Sequence, residues 1–483
     1  MKNTSLYQYY LFCDKLKCYC GRADTSTFVP LSIYQENLFI FSMFKYYLRL
    51  LCVACGVTSV QAQAQQAATA FTDSATLDQV IDYALTHNPV LKQSYLDASI
   101  TESQVQNRLA DWYPQIGLNA NYQRNFQLQT MANSAGVIRI GRYNQSAVQL
   151  GLTQNIFNSD VVLASRTAND VRQQAQQDII LTKIDLKSNV SKSFYSVLLT
   201  EYQVRVLDED INRLKLSLKV AKDQYAAGIV DKVDYSRATI ALNTSMTQRA
   251  NAIVSLDAKY AQLKELMGYP AAAPLNLLKA DTDLEQEAYV DTSSSLSPEN
   301  RVEYQQLQIT QNLNKANIQY RKMALYPTVS LFANYNVNFL NDEIMKLYNQ
   351  GYPNSFAGLQ VGFPIFQGGK RRQNIRQAEY QYDQTGWALQ QSRNAINTEY
   401  QNALSVYKSD WNTYQMLKEN LGLAEEVYRV LDAQYKAGIK NYLEVVVAQT
   451  DLQKAELNYA NAVYQLLIDK VDVLKALGNI QVK

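Results

Sequence analysis

The chain has almost none of the residues from which metal centres and thiol sites are made. Its 483 residues hold one histidine, His87, and five cysteines, and all five (Cys13, Cys18, Cys20, Cys52, Cys55) stand in the first 55 positions. A chain cleaved near residue 62 keeps no cysteine, so disulfides and Cys-based zinc sites lose their ligands. His87, read as part of a turn before Pro89, has no catalytic company. No later stretch offers the ~18 consecutive apolar residues of a spanning helix. Charge of one sign is lacking too: of 46 basic and 44 acidic residues the first 62 positions hold 6 and 3, which leaves 40 against 41. Such a balance gives no reason to expect a nucleic-acid partner. The glycine pair in "QGGKRR" (Gln367 to Arg372) is not a phosphate loop, because Pro364 and Arg371 stand where Gly and Ser or Thr are required. Nothing calls for a cofactor, a metal or a catalytic residue. Trp112, Trp387 and Trp411 are scattered and read as packing anchors.

From Met43 the sequence runs "MFKYYLRLLCVACGVTSVQAQA": a basic start (Lys45, Arg49), an apolar run and small residues before Ala62 or Ala64. This is the pattern of a secretory signal peptide. Residues 1–62 are therefore expected to be a leader, with Met43 its true start. A lipoprotein reading with Cys55 modified meets Cys52 where Leu is usual three positions upstream.

The remainder is duplicated. "WYPQIGLNANY" (Trp112 to Tyr122) returns as "LYPTVSLFANY" (Leu325 to Tyr335), and "QYAAGI" (Gln224 to Ile229) returns as "QYKAGI" (Gln434 to Ile439). Landmarks recurring in one order at one offset of about 210 residues mark an internal repeat. We expect residues 63–268 as the first repeat, 269–298 as a linker around the middle and 299–483 as the second repeat.

Each repeat alternates apolar and polar residues at period two: Ile116, Leu118, Ala120 and Tyr122 against Gly117, Asn119, Asn121 and Gln123; then Val148 to Leu152, Val329 to Val337, and Ala357 to Ile365. These read as four strands of about ten residues, paired as two hairpins. Two proline-free stretches follow, Asn158 to Tyr269 and Gln367 to Lys483. Their apolar positions step by four and three (Leu207, Ile211, Leu214, Leu218, Ala221; Leu417, Leu421, Ala424, Tyr428, Leu431), which is coiled-coil spacing. Only Gly228 and Gly438 offer a reversal. A helix from Asp160 to Ala227 would be roughly 100 Å long. The returning helix, Asp231 to Leu266, covers half of it, and a helix from Pro89 to Ala110 capped by Asn88 can supply the rest.

Ten-residue strands with one apolar face cross an outer membrane only in a closed barrel, and four cannot close. The arrangement implies a homo-oligomer, most simply a trimer with twelve strands. Asn119, Asn121, Gln123, Asn334, Asn336 and Asn338 would line its lumen.

The ordered set of "YP" strand entries (Tyr113-Pro114, Tyr326-Pro327), "PIFQGGKRR" (Pro364 to Arg372), "ENRVEYQQL" (Glu299 to Leu307) and paired Tyr-x-Ala-Gly tips resembles the TolC family of outer-membrane efflux proteins, over the whole chain after the leader. The resemblance implies a mainly α fold with a membrane β-barrel. Long helical hairpins would form an α-barrel across the periplasm, and four strands per protomer a trimeric twelve-stranded barrel in the outer membrane of a Gram-negative bacterium. It implies no enzyme activity and, as partners, a periplasmic adaptor and an inner-membrane pump of the resistance-nodulation-division or ABC type. By motif position the adaptor would meet Ala227, Gly228, Ile229, Ala437, Gly438 and Ile439. A periplasmic gate would use Asp234 linked to Tyr435 and Lys440, with Glu444 in an acidic ring, while Val447 replaces a second acid that some members carry. Small-molecule efflux is the first reading; the same duct serving type I protein secretion, or a periplasmic coiled-coil protein, are the alternatives.

Overall fold

The computed structural model describes residues 74–133, 136–228, 231–278, 284–291 and 295–480. The leader with Met43 and Cys55 lies outside them, as does Ile229. Helix α1 (Leu77–His87) is followed by α2 (Pro89–Leu109), strands β1 (Gln115–Arg124), β2 (Gln129–Asn133), β3 (Gly136–Ile140) and β4 (Asn144–Phe157), then α3 (Ser159–Ala226) and α4 (Lys232–Met267). A short α5 (Leu284–Ala288) leads to α6 (Val302–Met323), β5 (Thr328–Asn341), β6 (Gly351–Gly362), α7 (Lys370–Lys436) and α8 (Tyr442–Leu477).

The helices begin where side chains satisfy their free N–H groups. Thr76 and Gln79 form a reciprocal capping box on α1, and the Asn158 side chain accepts from Asp160 N at 2.8 Å at the head of α3. Asn88 accepts from Val90 N and Leu91 N at 2.8 and 3.0 Å, with Pro89 at the first helical position. The 68 residues of α3 make a rod of about 100 Å. Along one half α4 packs on it and along the other α2; α8 and α6 cover its opposite side in the same way. Helix α7, 67 residues, is accompanied by α8 and α6 in turn. The expected heptads face these contacts with different outcomes. Leu207, Ile211, Leu214 and Ala221 of α3 are buried, whereas Leu417, Leu421, Ala424, Tyr428 and Leu431 of α7 are half-buried. The reason is position: α3 is flanked on both sides, while α7 lies at one edge of the helical layer.

The short helices meet end to end. Asn88 Nδ2 donates to Leu266 O, the last turn of α4, at 2.7 Å, and in the second repeat Arg301 Nη1 donates to Ala476 O, the last turn of α8, at 3.0 Å. Gly268 ends α4 with φ +68°, where a Cβ would stand 2.8 Å from His87 O. His87 itself closes α1 instead of lying in a turn, stacked on Tyr83 at 4.0 Å between ring centres.

The strands form one antiparallel sheet in the order β1-β4-β5-β6, so the two expected hairpins are joined by β4 with β5. β4 and β5 reach 14 residues and β6 twelve, longer than the ten expected. β6 stops at Gly362, short of Phe363 and Ile365, because Pro364 has no N–H for the ladder. Between β1 and β4 stands a separate hairpin, β2 with β3. Residues 269–298 are not a loose linker where described. Ala75 and Leu277 form a bridge, Leu275, Ala288 and Val290 are buried, and the Tyr407 hydroxyl accepts from Val290 N and donates to Ala288 O at 3.0 and 3.1 Å.

Candidate gate and docking tips

Both hairpins turn on a left-handed glycine. Gly228 has φ +72° and Gly438 φ +75°, and each N–H donates to the tyrosine three residues earlier, Tyr225 O at 3.0 Å and Tyr435 O at 2.9 Å. Ile439 N adds a bond to Gln434 O at 2.9 Å, closing α7 in the way a left-handed glycine permits. Asn441 then caps α8 by accepting from Glu444 N at 3.1 Å. Ala227, Gly228, Ala437, Gly438 and Ile439 are all exposed, and no atom lies within 4 Å of the Cβ position of either glycine.

Just inside the tips the two hairpins lock on tyrosine. Tyr435, Tyr442, Val445, Ala221 and Ala238 form one buried cluster, with Tyr435 and Tyr442 rings 5.8 Å apart. The Tyr435 hydroxyl donates to Gln224 Oε1 at 2.9 Å, and Lys440 Nζ stands 2.8 Å from Glu444 Oε2. The expected partner of both, Asp234, bonds to neither. It acts through its field: burial first, and Asp234 after it, raises the Tyr435 pKa, and burial, Tyr435 and then Asp234 raise that of Tyr442. The residues expected at a gate thus stand at one level, but Gln224, which the sequence reading missed, takes the Tyr435 hydrogen bond. Its place one residue before the repeated Tyr-x-Ala-Gly was the available signal. Val447 is exposed on α8.

A buried acid lies deeper. Asp210, 3 % exposed, accepts from Ser245 Oγ at 2.9 Å, Gln449 Nε2 at 2.9 Å and Gln453 Nε2 at 3.0 Å, joining α3 to α4 and α8. These residues line a cavity of about 490 Å³. Near the middle, Asp469 is 4 % exposed; one oxygen accepts from Gln465 at 2.9 Å and the other has no donor. Burial above all, with Asp410 and Asp472 nearby, raises its pKa to about 7.

On the sheet, Asn119 stands beside Gln149, Gln149 beside Asn336, and Asn336 beside Asn354, a polar row across all four strands. Asn121 pairs with Ala147, Gln123 with Gln145, and Asn338 with Ala147 and Tyr352. Gln149 Nε2 donates to Asn334 Oδ1 at 2.9 Å. Phe332 and Phe356 share this face, edge to face at 6.2 Å, with Phe332 over the space that Gly358 leaves. Strict alternation did not foresee these two aromatic residues on the polar face.

A four-stranded sheet joined to two long helical hairpins is the protomer fold of an outer membrane channel. The chain belongs to the outer membrane efflux protein family, which matches residues 80–269 and 294–479. It is similar to the outer membrane protein TolC of Escherichia coli (strain K12), 23 % identical over 421 residues that cover 84 % of this chain and 82 % of the relative. The outer membrane protein OprJ of Pseudomonas aeruginosa is 24 % identical over 426 residues, covering 84 % and 85 %. In fold it resembles the outer membrane protein VceC of Vibrio cholerae, with a TM-score of 0.66 at 15 % identity, covering 83 % of this chain and 96 % of that one. Membership in this family places the protein in the outer membrane of a Gram-negative cell and sets aside the periplasmic coiled-coil reading.

Proposed function

We propose that three copies of this chain form a passive exit duct for a tripartite efflux system, docking at the hairpin tips to a periplasmic adaptor and through it to an inner-membrane pump. The observation that carries the reading is the open sheet. β1 and β6 each have one neighbour in the chain. A free strand edge cannot stay unpaired in lipid, so β6 of one copy must pair with β1 of the next. Three copies supply twelve strands, enough for a bore lined by the polar row.

The helices support the same ring. Val233, Ile240 and Val254 on α4 are exposed at heptad spacing, and so are Met416, Leu423 and Val430 on α7. These are the two outermost helices, so a head-to-tail ring buries one stripe against the other. Exposed Ala-Gly tips leave room for another helix to approach closely, and the Tyr435, Asp234 and Lys440 level forms the gate. The duct has no catalytic step; transport is driven by the pump. Light scattering on the detergent-extracted protein should give a mass of three chains, and a monomer or dimer at all concentrations would overturn the reading.

A further inference from the structure

The two hairpins meet along α3 and α8, and part of that seam is charged. Arg213 of α3 donates from Nη1 and Nη2 to Glu456 Oε1 and Oε2 of α8, at 3.3 and 3.1 Å. Its Nη2 also stands 3.8 Å from Asp210 Oδ1, one turn back on its own helix. Side-chain exposure is 23 % for Arg213 and 14 % for Glu456, and Asp210 is buried. Two acids thus share one arginine. All three groups are too enclosed to be left bare without a large penalty.

The partners divide by hairpin. Arg213 and Ser245 move with Asp210, because α3 and α4 are one hairpin. Gln449, Gln453 and Glu456 belong to α8, and Tyr428, whose ring faces the Arg213 guanidinium at 6.0 Å, belongs to α7. Tyr428 also packs on the Tyr435–Tyr442 cluster just inside the tips. When the second hairpin swings off the first, Arg213 loses Glu456 and Tyr428 in the same motion that takes Gln449 and Gln453 from Asp210. The two stripped groups are opposite in charge and already 3.8 Å apart. The seated arrangement is also incomplete. Arg213 Nε and Gln449 Oε1 are buried without a hydrogen-bond partner among the described residues, and a buried donor or acceptor left unpaired is destabilising. Arg213 therefore gives up an imperfect set of bonds when it turns to Asp210.

We propose that Arg213 is a two-position latch, paired with Glu456 while the hairpins lie together and with Asp210 once α8 withdraws, so that no buried charge is bared when the duct opens. The latch rests on the duct reading and on hairpins that part at their tips, but on none of the residues assigned to the gate. Gln224, which takes the Tyr435 bond, stands eleven residues further along α3, about 16 Å away.

Single-channel recording of the detergent-extracted oligomer in planar bilayers tests it. Glu456→Gln replaces a charge-assisted pair by a neutral bond and should raise the fraction of time in the open level roughly fivefold. Adding Asp210→Asn, or Arg213→Gln, should return that fraction to the wild-type value, since each removes one half of the open-state pair. If the seam acts only as adhesive between the hairpins, the second substitution raises the open fraction further. That result, or no change in Glu456→Gln, would overturn the latch. Asp210→Asn and Arg213→Gln predict the same return, so one serves where the other does not assemble, as judged by oligomer mass. Asp234→Ala with Tyr435→Phe, recorded alongside, separates the two readings. Silence there with the Glu456→Gln rise and its reversal intact removes the gate assignment and keeps the latch; the converse keeps the gate and removes the latch.

Discussion

Asp469 shows how much one buried acid can do in a chain with so few titrating oddities. Its carboxyl is pushed to about 7, mainly by burial, while an unfolded aspartate titrates near its ordinary value of 3.8. The folded state therefore binds a proton that the unfolded state has already lost, so stability falls as pH rises from about 4 to about 7. Asp469→Asn should raise the thermal midpoint at pH 7.5, by the equivalent of ~1–3 kcal/mol, and the gain should shrink as pH is lowered and vanish near 4. A pH-independent gain in thermal unfolding would mean that packing, and not the proton, is responsible. This residue was invisible in the sequence, since nothing in "LLIDKVDVL" (Leu466 to Leu474) separates Asp469 from the solvated Asp472 that pairs with Lys192. Gln224 was overlooked although the repeat shows it too, as Gln434, because a repeat marks a position without saying which side chain it will meet. Tyr435 was singled out by its motif position in the family resemblance.

At the scale of the element, periodicity served well for rods and less well for their ends. The coiled-coil spacing placed α3 and α4 to within a residue at each end, and gave α7 and α8 as one stretch from Gln367 to Lys483 turning at Gly438, because a heptad over dozens of positions has few ways to be packed. The strands were recognised by alternation, yet their ends were misjudged. β4 and β5 continue through polar ends such as Asn144 opposite Asn341, where the Asn144 side chain accepts from the Tyr122 hydroxyl and donates to Asp342 O. The two turns were legible from glycine, and their geometry makes a prediction. Gly228→Leu with Gly438→Leu forces a side chain into left-handed backbone, at a local cost of about 1–2 kcal/mol each, and puts bulk where the tips are open. Cross-linking to the adaptor in the cell envelope should disappear while trimers persist; intact cross-linking would remove the tips from the interface.

For the molecule as a whole, a gate at the proposed level must be weak enough to open, and the bonds there suit that. The Tyr435–Gln224 bond and the exposed Lys440–Glu444 pair are each of a kind that contributes about 1 kcal/mol or less. Asp234→Ala with Tyr435→Phe should raise single-channel conductance in planar bilayers, and unchanged conductance would free these residues from gating. The end-to-end joints have a further effect on what the molecule can become. The unbroken α3 and α7, of 68 and 67 residues, are matched by two pieces each: α2 of 21 with α4 of 36, and α6 of 22 with α8 of 36. Asn88 and Arg301 hold each splice at a fixed height. A longer or shorter duct then cannot arise by extending one helix. Seven residues added to α3 must be answered by seven in α2 or α4 beside it, and by the same change in the second repeat, or the splices lose their alignment. The reach of the duct is therefore set by a length code written four times in one chain.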